Sequence, residues 1–366
     1  MGQQNSVFIG KSADAAAVWP AVEETLAENT RAGVLLTLAV ILAAGILMIA
    51  CRTRPPAAPM ERIVLGAETI AFSAPVWVAE HNGYFREEGV HVEIRGFDSG
   101  RTALFTMVDQ GGLDLVTAAQ TPVISKSFDR RDYAIVAAMA FSDKDVKVVA
   151  RRDRGINAPQ DLAGKTIGIT YGSSGHFFLS LFLAYNQLQL SDVRTVDFEA
   201  TRLEDALIKG QVDAVATWEP HVYRAQKALR EKAVILPGGN IYREDFYFVA
   251  RREFIHGHSK ALERFLRAIE KAQQFIQRDR AATLNIVQHR LQIDMDILKS
   301  TWDECQFGLF LNQSVLISLE DEARWAIENK LTPATRVPNY LNYIYVDALS
   351  AVKPDAVTIA GIRRPL

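Results

Sequence analysis

Cysteine is almost missing from this chain. Its 366 residues include only 2, Cys51 and Cys305, too few for a disulfide framework or a four-ligand zinc site. The 7 histidines are scattered without metal-ligand spacing, and no His-Glu-x-x-His occurs. Charge of one sign is missing too: 41 Lys and Arg against 43 Asp and Glu leave a net charge of −2. No basic surface therefore argues for nucleic acid, and that class of partner is set aside. Gly164-Lys-Thr166 imitates a phosphate loop and fails, because the first glycine of that pattern falls on Pro159 and the Gly-Lys precedes a strand instead of following one. No Gly-x-Gly-x-x-Gly opens a helix, and there is no nucleophile elbow. Nothing in the pattern forms a catalytic constellation, so no enzymatic activity, cofactor or metal is expected.

Long hydrophobic runs are scarce as well, with one exception. Ala32–Ala50 is an uncharged stretch of 19 residues, just long enough to cross a bilayer as a helix. It ends Met48-Ile-Ala-Cys51, close to the pattern in which a signal peptide is cut before a cysteine that is then acylated. A leader of 31 residues leaning acidic (Glu23, Glu24, Glu28) precedes it, unusually long for a signal peptide, and Arg52 and Arg54 follow the run, where the positive-inside rule favours the opposite orientation; an uncleaved anchor is the other use. Both uses stay open. The expected place of the folded part is the extracytoplasmic face, tethered to a membrane by the Pro-rich segment 52–59.

What is present, from Met60 on, is an alternation of short apolar runs with helical patterns. Arg62–Gly66, Val90–Arg95, Leu113–Val116, Tyr133–Ala138 and Val146–Ala150 read as strands, with helices over Pro75–Phe85, Ala103–Gln110 and Pro122–Phe128 between them. The rhythm restarts with strands at Thr166–Thr170, Val193–Phe198 and Val212–Thr217, and with helices after the first two. Phe246–Ala250 returns as a strand, Ser259–Gln277 is an amphipathic helix, and the remainder to about Leu349 reads as helical. Both blocks share one device, Gln110-Gly-Gly-Leu-Asp and Lys209-Gly-Gln-Val-Asp, each between a helix and a short strand. The pattern predicts an α/β protein with parallel sheets covered on both faces. The expected division is a leader over 1–31, a signal or membrane segment over 32–51, and the tether over 52–59. One lobe then covers 60–150 with 249–350, a second lobe covers 151–248, and a tail covers 351–366.

Polar turns gather at the carboxyl ends of the predicted strands, where open α/β sheets bind ligands. They are Phe72-Ser-Ala-Pro75, Asp98-Ser-Gly100, Ala119-Gln-Thr-Pro122, Gly172-Ser-Ser-Gly-His176 and Trp218-Glu-Pro220. Each opens a helix, whose first N–H groups favour an anion. A lone Ser or Thr in such a place also serves as a simple N-cap, His176 also suits a capping role, and Trp218 also suits a core. Several such turns on one side of two lobes point to a pocket for a small anionic head group, with Trp218 as an aromatic wall.

Three stretches carry a family resemblance: Pro75-Val-Trp-Val-Ala-Glu-His-Asn-Gly-Tyr-Phe-Arg-Glu-Glu-Gly-Val-His-Val-Glu93, Asp161–Ile169 and Gly210–Pro220. In order and content they resemble the substrate-binding proteins of ABC importers, in the branch for alkanesulfonates, taurine, nitrate and thiamine-pyrimidine precursors. The resemblance runs from Glu61 to about Val357. It implies a type II periplasmic binding protein, two α/β lobes on a two-crossover hinge, monomeric, delivering a small anionic or zwitterionic solute to a permease and its ATPase. It implies contacts from Phe72, Ser73, Ser99, Gly100, Gln120, Thr121, Gly172, Ser173, Ser174, His176, Trp218 and Asp245. Gly-Ser-Ser-x-His is most like the alkanesulfonate receptors, and Trp-x-Pro is shared by taurine and sulfonate receptors. Gly175 stands where sulfonate receptors often carry a bulkier residue, and Phe72 replaces a polar one. The pyrimidine-precursor branch carries a cysteine-rich run that this chain lacks, which argues against that role and against a synthase-like relative. A membrane-tethered sensor is the other alternative, and a permease gene and an ATPase gene beside this one separate transport from sensing.

The two uses of the apolar run differ in one measurable respect. If Cys51 is acylated, incorporation of a tagged fatty acid depends on it, and Cys51→Ala abolishes the label and leaves a longer, unprocessed chain. An uncleaved helix gives no label and no change of processing in the variant.

Overall fold

Strands β1 (Glu61–Glu68), β2 (Val90–Phe97), β3 (Leu115–Ala119) and β4 (Tyr133–Ser142) come first along the chain. They are followed by β5 (Lys147–Arg151), β6 (Thr166–Ile169), β7 (Arg194–Asp197), β8 (Ala214–Thr217) and β9 (Ala233–Ile235), and then by β10 (Glu244–Arg251) and β11 (Gln306–Phe310). The computed structural model describes residues 60–361. The leader, the apolar run, Cys51 and the tether therefore lie outside the described residues. Among the described residues no helix is long and apolar enough to cross a membrane.

The strands form two sheets, one ordered β11-β4-β10-β3-β1-β2 and the other β7-β6-β8-β5-β9. The chain passes from the first sheet to the second between Ser142 and Lys147 and returns between Ile235 and Glu244. Strand β5, expected with the first lobe, pairs with β8 and β9 in the second sheet. Neither sheet is wholly parallel as the pattern predicts. β1 runs parallel to β2 and β3, and β6 to β7 and β8, as helical crossovers require. The strands adjoining the two crossings, β10 and β4 in one sheet and β5 in the other, pair antiparallel with their neighbours. A second correction concerns the C-terminal part. Gln306–Phe310, read as helix, is the antiparallel edge strand β11. Nor is 351–361 a loose tail: Val357 and Ile359 are buried in the core of the first sheet, and Val357 bridges Leu311.

The repeated Gly-x-Leu/Val-Asp device has the same use in both sheets. Asp114 N–H donates to the Val64 carbonyl at 2.9 Å and its carboxylate accepts from Val64 N–H at 2.9 Å. Asp213 does the same to Thr166, at 2.8 and 2.9 Å. Each aspartate thus closes a ring on the neighbouring strand and fixes the register of its sheet at the amino end.

Helices α1 (Ala74–His81), α2 (Gly100–Phe105) and α3 (Gln120–Ser127) follow β1, β2 and β3. Helices α4 (Ser174–Tyr185), α5 (Ala200–Ile208) and α6 (His221–Leu229) follow β6, β7 and β8. Helix α7 (Ser259–Arg278) buries Leu262, Phe265, Leu266, Ile269, Ala272 and Ile276 at three- and four-residue spacing against the first sheet. Helix α8 (Gln313–Glu328) packs beside α3. Two glycines set how closely helices approach the strand ends. A Cβ on Gly100 would stand 2.7 Å from the Ala118 Cα, and one on Gly175 would stand 2.6 Å from the Ala216 carbonyl oxygen. This backbone contact explains why a bulkier residue is absent at 175. Gly175→Ala is expected to push α4 off β8 and to cost about 1–3 kcal/mol, the usual range for overpacking, read as a lower urea midpoint with an unchanged m-value.

Candidate functional site

The turns after β1, β2, β3, β6 and β8 border three cavities where the two sheets meet, one of them, about 30 Å³, lined by Ile70, Phe72, Asp145, Glu219 and Pro220. A second, the narrow cavity of about 30 Å³, is lined from the first sheet by Glu68, Ser99, Gly100, Glu244 and Phe246 and from the second by Ser173, Ser174 and Trp218, with Asp145 from the first crossing. A wider chamber of about 680 Å³ is walled by Phe105, Tyr171 and Trp325, with Thr121, Gly172 and Glu322 also on its surface. Trp325, on α8, reaches across to α4, where its ring meets His176 edge-on at 5.2 Å and Phe177 at 4.9 Å between centroids.

Of the residues the sequence points to, Ser99, Gly100, Ser173, Ser174 and Trp218 line the narrow cavity and Thr121 and Gly172 line the chamber. Phe72 stacks on Phe246 at 4.0 Å and belongs to the core. Ser73 is buried, its hydroxyl 3.4 Å from that of Thr117. Gln120 braces the frame: its amide donates to Glu322 at 3.0 Å and its carbonyl accepts from the Asp245 N–H at 3.1 Å. Asp245 is fully buried and paired with Arg243 at 2.9 Å. His176 packs between the Tyr171 and Trp325 rings, and its Nδ1 accepts from Gly172 N–H at 3.4 Å. Burial pushes its pKa down to about 4, so the ring is neutral near pH 7 and is no cation awaiting an anion. Ser99 caps α2 by accepting from Thr102 N–H at 3.2 Å, whereas the Ser173 hydroxyl donates to the Thr170 carbonyl at 2.7 Å.

Sequence pattern does not single out the acids of this cleft. Glu68, Asp145 and Glu244 are each at most 5% exposed. The Gly100 N–H, expected to await a solute, donates to the Glu68 carboxyl. Burial, reinforced by Asp145 and Asp98, pushes Glu68 up to about 8. Burial, with Glu68, Glu322 and Asp245 nearby, does the same to Glu244, and the neighbouring Ser174 hydroxyl opposes the rise. Asp145 is held well above the usual carboxylate range by burial and by Glu244 and Glu219, against the pull of Lys147. Glu322, beside the chamber, is pushed by burial to about 7. The signal that finds Glu68 and Glu244 is their place at the cleft end of a buried strand, Glu68 closing β1 and Glu244 opening β10 just before Asp245.

With this geometry in place, comparison with known proteins identifies the relationship. Residues 71–282 match the family described as NMT1/THI5 like, which is more than half of the chain. The chain belongs to that family. The taurine-binding periplasmic protein of Escherichia coli (strain K12) is 23% identical over 216 residues, 58% of this chain and 65% of the relative. The alkanesulfonate-binding protein SsuA from Xanthomonas axonopodis pv. citri, solved bound to MOPS, superposes with a TM-score of 0.68 at 19% identity, covering 79% of this chain and 100% of that one. The fold is therefore that of the periplasmic binding proteins. It also serves catalysis elsewhere: the desulfurization enzyme DSZB superposes with a TM-score of 0.60 at 12% identity, over 81% of this chain and 99% of its own.

The buried acids give the protein a pH signature with a definite sign. Unfolded glutamates titrate near 4.5 and Glu68 and Glu244 near 8 in the fold. The stability they contribute is fully present below the unfolded value and is lost as pH rises through the folded one. Urea unfolding should therefore show stability falling from about pH 5 to about pH 8. Glu244→Gln should remove on the order of 1 kcal/mol or more of that fall, since one pKa unit corresponds to about 1.4 kcal/mol.

Proposed function

We propose that this protein is the extracytoplasmic solute receptor of an ABC importer. It acts as a monomer without catalysis, binds a small anionic or zwitterionic organic solute between the two sheets, and presents it to a membrane permease and its ATPase. One observation carries the reading: in a chain of this family, residues of both sheets jointly line the space at the carboxyl ends of the strands. The chamber has the volume usual for a small-molecule site, about 300–1,000 Å³. The relatives, a taurine receptor and a sulfonate receptor among them, support solute binding over chemistry. The N-terminal segment would hold the receptor at the membrane, by Cys51 or by its apolar run. In the cleft Trp218 and Phe246 supply apolar walls, while the serines and acids supply the polar contacts.

The test is a thermal-shift screen of the full chain against taurine, short alkanesulfonates, nitrate, bicarbonate and aminopyrimidines. A true solute at about a hundred times its dissociation constant adds about 2.7 kcal/mol of stability. It is recovered chemically unchanged, and Trp218→Ala weakens it at least tenfold. A screen without any shift, or a solute consumed during incubation, would overturn the receptor reading.

A further inference from the structure

The acids of the narrow cavity do not suit a bare anion. Glu68, Asp145 and Glu244 all line a space of about 30 Å³, enough for one or two groups the size of water at about 10–15 Å³ each. Two of the cations in the neighbourhood are paired with acids. Lys147 Nζ lies 3.0 Å from Glu219 and 2.7 Å from Glu304. Arg243 pairs with Asp245 and lies 3.8 Å over the Phe141 ring. Arg101 also lines the cavity, its guanidinium turned 4.6 Å over the Phe105 ring. Independently of the clustering, Oε2 of Glu244 is fully enclosed and has no hydrogen-bond partner. A buried acceptor without a donor costs free energy until something supplies one. Among the described residues no group of three His, Cys, Asp or Glu side chains converges as a metal site needs.

We propose that the narrow cavity is the subsite for a cationic nitrogen, an ammonium, amidinium or guanidinium head. Within the receptor reading, on which this rests, the solute is then an organic cation or a zwitterion that leads with such a nitrogen, and a sulfonate without one is rejected. Glu244 and Glu68 accept its N–H groups, Asp145 adds charge, and Trp218 and Phe246 enclose it, a tryptophan face also favouring a cation. A sulfonate in the same place would meet like charges as Glu68 and Glu244 ionise. Such a like-charge contact is what selects against a wrong partner.

Protonation gives the binding a slope. In the empty cleft Glu68 faces Asp145 and Asp98, and Glu244 faces Glu68, Glu322 and Asp245. Asp145 faces Glu219, Glu304 and Lys147, and Arg101 lines the same cavity. Burial keeps Glu68 and Glu244 protonated up to about 8. A cation pairs with the ionised form, so its binding releases a proton and tightens as pH rises toward 8. An anion pairs with the neutral acid and loosens over the same range.

The experiment is isothermal titration calorimetry of the full chain with three probes that share one tail: butylammonium, butylguanidinium and butanesulfonate. The two cations should bind at least tenfold more tightly than the sulfonate, and their Kd should tighten by up to tenfold per pH unit between about pH 6 and pH 8. Glu244→Gln should weaken both cations at least tenfold without lowering the melting temperature of the empty protein. Glu68→Gln, which keeps an acceptor for Gly100 N–H, should do the same by a second route. Butanesulfonate binding as tightly as butylammonium, or both variants leaving the butylammonium Kd unchanged, would overturn the proposal. If the sulfonate alone binds, the receptor reading survives and this inference does not. If none of the three probes binds and the wider screen is also blank, both fall.

Discussion

Polar groups at the meeting of the two sheets need partners whether or not a solute is there, and in this protein buried acids supply some of them. Glu68 takes the Gly100 N–H, and Glu244 lies beside the Ser174 hydroxyl. Groups that in sequence look like an open cradle for an anion are thereby engaged within the fold. The cost is that carboxyl groups sit in a water-poor cleft, where the neutral form is favoured over the charged one. Stability and protonation are consequences of that single placement, because both change when those carboxyls ionise.

The placement depends on backbone positions set far from the cleft. Asp114 and Asp213 tie β3 and β8 to β1 and β6 at the amino ends of the sheets. With register fixed there, a strand's length decides which residue emerges at its carboxyl end. Glu68 is the last residue of β1 and Trp218 follows the last residue of β8. Gly100 and Gly175 then let α2 and α4 close onto the strand ends, near enough for the Gly100 N–H to reach Glu68. A side chain at either position would move the helix start, and the cleft with it, by the few tenths of an ångström that decide a hydrogen bond.

The strands that open each block were legible because both blocks carry the same punctuation of apolar run, Gly-x-Leu/Val-Asp and polar turn. The repetition showed that there were two such units before any contact was known. Strand direction was less legible. An antiparallel β10 and a parallel one bury the same side chains, and only the path of the chain between sheets separates them. β11 was missed because Gln306–Phe310 is short, partly exposed and flanked by helical patterns, so propensity had no long period to work on. At the site, turns could be found from sequence but not the direction in which their side chains point. Phe72, Gln120, His176 and Asp245 sit in or beside such turns and still face the frame. The acids lie hundreds of ångströms apart along the extended chain and meet only after both crossings, and no local pattern can show that Glu68 and Glu244 are neighbours.

Neither sheet holds a complete site. The first brings Glu68, Glu244 and Phe246, the second brings Ser174 and Trp218, and Asp145 comes from the crossing between them. Trp325 extends from α8 on the first-sheet side onto α4 on the other and closes the flank. A group held among all of these contacts both halves at once. It therefore favours the arrangement in which the sheets stand this close over any in which they part, by the difference in its affinity for the two. The unpartnered oxygen of Glu244 fits this logic. A group between the sheets that supplies the missing partner relieves a cost that the protein alone carries.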